Sequence, residues 1–458
     1  MSLISWTAVA LIAMAIVSTS TAIPYGLKPY FNVPVADCGL NTTTGSSSRP
    51  FLVSAEGISV VMRNLESPDV RGGKAAVHVY NESNGKLIFT TGRCVWPGLT
   101  VTAGNSSNKN VFADNLMQPP IAIGQYALAC LNMNLQVILI GFVTGYNNVG
   151  KQVWVEPTPG CPTSTPTNCG FDYSGPEKLV VVHGTKVFLY SNREPWSTPP
   201  FVELLWTQTI LWGSAASSSD APLGPGILAM PNQVFIETDL ALYGLSENDG
   251  SIQFTVTQPA SGQLRWAKNM WNSDGADGQF IVWNDHMIQL VNAYEKWSPI
   301  FTKTFNSSCF VSEGLNAQNW APSLAKVQMF FVLRCSGGEE IISMDGAGTT
   351  LWTWRPPAPL GGSDNTNVNS FFRTPLTVLF DTNLAFLSSD SLFIISHATG
   401  ALITTYSTGV TEALPYQGMI QIDGNGPNFN LFTFLQTARN STGTDASLSL
   451  VGLTANYT

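Results

Sequence analysis

A short hairpin keeps returning along this chain, and its spacing limits what the chain can fold into. Residues 179–190 place two β-rich runs around the turn His183-Gly184, and residues 279–290 and 384–395 repeat the unit. Short runs of Val, Ile and aromatic residues bounded by polar turn residues read as strands, and helical periodicity is nearly absent. The second strand of successive hairpins starts at Val77, Val137, Val187, Ala241, Met287, Glu340, Leu392 and Leu448, an average spacing of about 53 residues. One such unit cannot bury both of its faces, so neighbours must stack. A period of about 40–55 residues with short strands is the mark of a β-propeller built of four-stranded blades. The expected fold class is all-β, a single propeller over residues 51–458.

Seven units are complete, from Val77 to Leu392. The last holds 419–422, 431–435 and 448–451 but no outer strand. Residues 23–50 form an N-terminal segment in which 30–36 is the candidate closing strand, confined to a sheet edge by Pro34. Eight blades closed by pairing of the two termini are expected, with seven as the alternative.

Several units carry a glycine four residues before a large side chain: Gly85 and Phe89, Gly150 and Trp154, Gly250 and Phe254, Gly348 and Trp352. Glycine supplies the positive φ of the turn between third and fourth strands, and the aromatic on the outer strand can wedge between blades. Residues 78–89 and 242–254 resemble the repeats of the pyrroloquinoline-quinone-type (quinoprotein-like) β-propeller family, whose pattern is a strand followed by Asp/Asn-x-x-x-Gly-x-x-x-Trp. The resemblance runs from about residue 51 to the end, and each repeat is degenerate. Two units replace the glycine turn with Glu194-Pro195-Trp196 and Glu295-Lys296-Trp297, and a third has Thr404 where the aromatic belongs. The resemblance implies either a quinone-dependent dehydrogenase, with its cofactor over a calcium ion, or a binding scaffold on the same fold. Many such enzymes have a vicinal disulfide, and this chain has no Cys-Cys pair and no C-x-x-C-H haem site. The expectation is a scaffold with no cofactor, calcium or a quinone being left open.

Six of the seven cysteines fit the repeat. Cys94 follows the outer strand of the first unit and Cys130 ends a hairpin strand of the second; Cys309 and Cys335 stand equivalently between the fifth and sixth. Each pair is expected to tie one blade to the next. Cys161 and Cys169 bracket a loop that a bridge would close, which leaves Cys38 free or joined to another molecule. No zinc-type spacing is present.

Disulfides belong to an oxidising compartment. Residues 5–17 are apolar, and Ser20 and Ala22 suit a signal-peptidase site, so 1–22 reads as a signal peptide, with an uncleaved anchor as the rival. Sequons stand at Asn41, Asn81, Asn105, Asn306, Asn440 and Asn456, all in polar surroundings. A secreted or lumenal glycoprotein is expected, a monomer with no membrane span after signal removal. Only 11% of residues are charged, and a net charge of -9 without a basic run gives nucleic acid no footprint.

Chemistry-bearing residues are sparse. His78, His183, His286 and His397 lie on or beside repeat hairpins and read as turn or strand histidines with their own hydrogen bonds. Residues 423–428 and 364–369 partly imitate calcium loops but also suit plain turns. Trp196, Trp212, Trp271, Trp297 and Trp320 fall between strands, where a rim surface for ligands would lie. The expected function is non-enzymatic binding or scaffolding of a protein or glycan partner on a propeller rim. An extracellular oxidoreductase or hydrolase with its site at the central channel is the alternative.

Overall fold

In the computed structural model, the described residues lie within 25–457. Outside the description fall 1–24, 36–39, 42–50, 56–57, 65–73, 96–120, 124–126, 143–148, 162–168, 175–177, 193–201, 212–225, 231, 239, 258–264, 267–278, 285, 293–294, 321–325, 358–371, 373–375, 380–382, 389–390, 408–420, 424–430, 440–444 and 458. The signal-peptide, Cys38, Asn105 and Asn440 readings lie there, as do Trp196, Trp212 and Trp271.

Among the described residues the chain forms eight antiparallel sheets. The terminal strands come first in sequence, β1 (Tyr25–Pro34) and β2 (Leu40–Asn41). The first sheet comes next as β3 (Phe51–Ala55), β4 (Ile58–Asn64), β5 (Ala75–Asn81) and β6 (Lys86–Thr91). The second is β7 (Ile121–Ile123), β8 (Ala127–Leu131), β9 (Val137–Gly141) and β10 (Gln152–Val155). The third is β11 (Cys169–Ser174), β12 (Lys178–His183), β13 (Lys186–Asn192) and β14 (Val202–Thr209). The fourth is β15 (Gly226–Met230), β16 (Gln233–Glu237), β17 (Ala241–Ser246) and β18 (Ile252–Thr257). The fifth is β19 (Arg265–Trp266), β20 (Gln279–Asn284), β21 (Met287–Asn292) and β22 (Ser298–Thr304). The sixth is β23 (Cys309–Trp320), β24 (Lys326–Cys335), β25 (Gly338–Asp345) and β26 (Thr350–Trp354). The seventh is β27 (Thr377–Leu379), β28 (Asn383–Leu387), β29 (Ser391–Ser396) and β30 (Leu402–Ser407). The eighth pairs β31 (Gln421–Asp423), β32 (Leu431–Arg439) and β33 (Asp445–Tyr457) with β1 at its outer end, and β2 also pairs with β33.

All eight residues that mark the repeat fall in the third strand of a sheet, β5, β9, β13, β17, β21, β25, β29 and β33. Several second and third strands are continuously apolar because both of their faces are covered: β8, β9 and β28 are buried at every position. The fourth strands are largely exposed, as in β18 and β30. First strands of different sheets approach one another, β3 lying against both β7 and β31, and β11 against β15. At these junctions the sheets meet along their first strands.

The core is a chain of interfaces rather than one central mass. Buried clusters join the first sheet to the second, the second to the third and the third to the fourth. They continue through the fourth to sixth, from sixth to seventh and from seventh to eighth. Phe31, Val35 and Leu450 of the terminal sheet then pack with Leu52, Val61 and Tyr80 of the first.

Aromatics on the outer strands fasten these interfaces. Trp206 of β14 lies over Gly250 of the next sheet, whose φ is 72°; a Cβ there would come 2.7 Å from the indole. Only glycine allows both the left-handed turn and the close approach. The indole Nε1 donates to the carbonyl of Glu247 at 2.8 Å. Phe89 sits likewise over Gly150, Phe301 over Gly348, Trp352 over Gly400 and Phe31 over Gly85. The glycine and the aromatic of one unit thus dock on opposite neighbours. Where the glycine is missing, another aromatic stands in: Trp154 meets Tyr190 edge-on at 5.6 Å, and Phe254 meets Trp297 at 6.1 Å.

Cys94–Cys130 joins the end of the first sheet to β8 of the second, and Cys161–Cys169 joins the connector after β10 to the start of β11. Cys309–Cys335 differs from its expected role. The two residues face each other across β23 and β24, so the bridge lies within the sixth sheet. After β22 the chain turns within 305–308 and enters the next sheet at once, which places Cys309 already inside it.

Candidate functional site

The most strongly perturbed ionisable groups meet at the junction of the second and third sheets. Beyond β10 the chain crosses to the third sheet through residues 156–161. Glu156 opens this connector and has no exposed surface. Its amide donates to the Val137 carbonyl at 2.9 Å. Its Oε2 accepts from the Val137 amide at 3.2 Å and lies 3.2 Å from His183 Nε2, an ion-pair distance without the alignment of a hydrogen bond. Its Oε1 accepts from Thr158 Oγ1 and from the Tyr190 hydroxyl, the latter at 3.3 Å. Gln136 Nε2 donates to the carbonyls of Glu156 and Thr158 at 3.0 Å each, and the Cys161 amide donates to Leu135.

His183 is 7% exposed, and its Nδ1 lies 3.1 Å from the Pro159 carbonyl. That carbonyl can only accept, so Nδ1 carries a proton and a neutral ring turns its Nε2 lone pair toward Glu156. Two acceptors at that distance repel unless the pair holds one proton.

Burial raises the Glu156 carboxyl to about 7, against lowering hydrogen bonds from Thr158, Val137 and Tyr190. Burial lowers the His183 imidazole to about 4, against the Pro159 carbonyl. Burial also pushes the Tyr190 phenol up. A raised carboxyl alone would lose stability as pH climbs from 4.5 to about 7; a depressed imidazole alone would lose it as pH falls from 6.5 to about 4. Each limb amounts to about 3 kcal/mol at about 1.4 kcal/mol per unit. Between pH 4.5 and 6.5 the two slopes oppose each other and cancel.

Strongly shifted groups often mark active sites. Among the described residues the three with large shifts, Glu156, His183 and Tyr190, are sealed in this one junction, bound to backbone or to one another. Other polar groups also serve the frame. Asp172 of β11 accepts from the Ala229 amide of β15 at 2.9 Å, which ties two first strands together. Glu247, the partner of Trp206, pairs with Lys178 at 2.7 Å and accepts from the Asn232 amide. Among the described residues no group of three or more His, Cys, Asp or Glu could hold a metal ion. The four histidines lie in different sheets: His78 Nδ1 contacts Thr90 Oγ1 and His286 Nδ1 contacts the Cys309 carbonyl, each at 3.1 Å.

Trp297, expected on a rim, is 4% exposed and packs against Phe235 and Phe254. It fills the place of the missing glycine, with Lys296 and Trp297 both at positive φ. Trp320 ends β23, Asn41 ends β2 and Asn456 lies in β33. Asn306 is exposed, and its Oδ1 accepts from both the amide and the hydroxyl of Ser308, the third residue of its sequon. Asn81 binds Ser83 in the same way. In both, the carbonyl end is engaged, and Nδ2 is the atom to which a saccharide would be joined.

Most of the exposed large apolar residues described lie on the outer strands. Leu87, Val155, Leu204, Leu205, Ile252, Ile300, Leu351 and Leu402 are all exposed there, one or two per sheet from first to seventh. Each of these strands ends its sheet, so one edge of its backbone has no strand partner among the described residues. Sequence reasoning missed both this edge and the role of Glu156. The edge was legible in five units as an apolar residue one or two positions before the outer-strand aromatic, as in Leu87 and Phe89 or Leu351 and Trp352; Glu156 carries no periodic signal.

No family model matches this chain, and no curated protein matches it. Among solved structures, BamB from Moraxella catarrhalis matches with a TM-score of 0.49 and 11% identity, over 93% of this chain and 99% of that one. A europium-containing methanol dehydrogenase matches with a TM-score of 0.53 and 7% identity, over 93% of each chain. At that identity the dehydrogenase likeness shows the fold alone: this chain is an all-β protein of the β-propeller type.

Proposed function

We propose that this chain is a secreted or lumenal, N-glycosylated propeller that holds a protein partner and performs no chemistry of its own. The observation that carries this reading is the exposed aliphatic series on the outer strands of seven sheets. Sugar rings stack on aromatic faces, whereas the exposed large apolar side chains described here are aliphatic apart from Tyr30 and Met133. Trp154, Trp206 and Trp297 are spent inside the frame. An aliphatic strand edge suits a protein partner, which can add backbone hydrogen bonds to side-chain contact. The contact surface is accordingly placed at the outer edge rather than on the loop rim. Three disulfides and the exposed Asn306 sequon support an oxidising, glycosylating compartment.

Protein isolated from its own host tests both parts. Native against denaturing mass spectrometry should show a glycosylated polypeptide with no bound small molecule. Photo-reactive residues at Leu204 and Leu351 should cross-link to a protein, and a photo-reactive residue at Met133 should not. A non-covalent mass matching a quinone or a metal, with no adduct at the outer edge, would replace this reading with the enzymatic one.

A further inference from the structure

The junction at Glu156 joins two unlike fasteners. One is covalent: Cys161–Cys169 ties the connector to β11, and Cys169 is the cross-strand partner of His183. The other is the carboxyl–imidazole contact, made by the residue that opens the connector. With Nδ1–H committed to the Pro159 carbonyl, the closed contact requires one proton and accommodates only one. We propose that Glu156 and His183 form a compensating pair that keeps the second-to-third-sheet junction equally closed throughout the mildly acidic range. An open junction also holds one proton there, on the imidazole instead of the carboxyl, so opening takes up or releases almost none.

The groups around the pair support this count. Tyr190 of β13 meets Glu156 as a phenol that burial keeps protonated. From β9 and the turn before it come only the Val137 amide and the neutral Gln136. On β12, Lys178 is engaged with Glu247, and Lys186, paired with His183 across the hairpin, is exposed. The balance is thus set by two groups. A protein that passes through acidifying compartments would keep this joint intact without a change in its opening. The inference does not depend on what the outer edge binds.

Hydrogen exchange of the full mature protein tests it, with rates corrected for intrinsic pH dependence against peptides of β25. In the wild-type protein, protection of peptides covering 156–161 and 178–183 should change less than about threefold from pH 4.5 to 6.5. In Glu156→Gln only the imidazole titrates, and protection should fall about tenfold for each unit below pH 6.5. In His183→Gln only the carboxyl titrates, and protection should fall about tenfold for each unit above pH 4.5. A buried pair with a purely steric role would give parallel profiles in both variants, and that result would overturn the proposal. So would a steep slope in the wild-type protein, which needs no variant to fold.

Discussion

The terminal sheet offers the sharpest test of how the two ends of the chain are joined. Phe31 of β1 stands between two glycines. A Cβ at Gly85 of the first sheet would lie 2.8 Å from its ring, and one at Gly452, its cross-strand partner in β33, would lie 2.4 Å from it. The Tyr30 hydroxyl donates to the Ser83 carbonyl at 2.6 Å, on the same turn that carries Gly85. Replacing Gly85 by alanine adds two costs. Its φ of 68° is worth about 1–2 kcal/mol of strain for a residue with a Cβ, and the collision with the ring adds about 1–3 kcal/mol. Phe31→Ala removes a buried aromatic and should cost about 3–5 kcal/mol. In the Phe31→Ala background the collision disappears and only the strain remains. The double variant should therefore be more stable than the sum of the single effects by about 1–3 kcal/mol. Hydrogen exchange of peptides covering 25–35 would register this as a coupling of roughly 5- to 150-fold in the opening equilibrium. Gly337→Ala, where nothing lies within 4 Å of the added carbon, is the control and should leave the same peptides unchanged. Additive effects within about 0.5 kcal/mol would refute docking of the N-terminal strand on the first sheet. Rapid exchange of 25–35 in the unaltered protein would do the same.

Three further outcomes are expected. Against pH, Glu156→Gln should lose about 3 kcal/mol between pH 6.5 and 4, because its remaining imidazole is held below its usual value; His183→Gln should lose a similar amount between pH 4.5 and 7, because its carboxyl is held above. Thermal melts across that range would show the slopes, and slopes of equal sign would contradict the assignment. Trp206→Phe keeps a ring over Gly250 but leaves the Glu247 carbonyl without its 2.8 Å donor, so urea unfolding should show a loss of about 1–2 kcal/mol, clearly less than for Trp206→Ala. Asn306→Gln should remove one endoglycosidase-sensitive increment from protein secreted by its host, and an unchanged mass would mean that this sequon is not used.

How far the sequence disclosed the fold depended on whether a strand's surroundings were repeated or particular. Where the central strands are covered on both faces, runs such as 179–182 and 392–395 are apolar without interruption and mark the repeat. The first strands were far less visible. β19 is two residues long and β27 three, too short for any pattern to emerge. The glycine and aromatic of each unit were legible as a pair, but their actual partners lie one sheet away in either direction. Trp297 marks the seam where that distant partner is missing. Phe254 needs a surface in the fifth sheet, no glycine turn supplies it, and the indole turns inward instead of facing solvent. Cys309 was displaced for a related reason, since the boundary between sheets falls within a turn too short to stand out. Glu156 lies at the far end of this scale. Nothing in the residues beside it calls for a buried acid, because its burial and its proton are set by His183 and Tyr190 of the next sheet. In a fold assembled from nearly equivalent units, the repeat specifies the blades, while the chemistry gathers at the seams between them, where no two are alike.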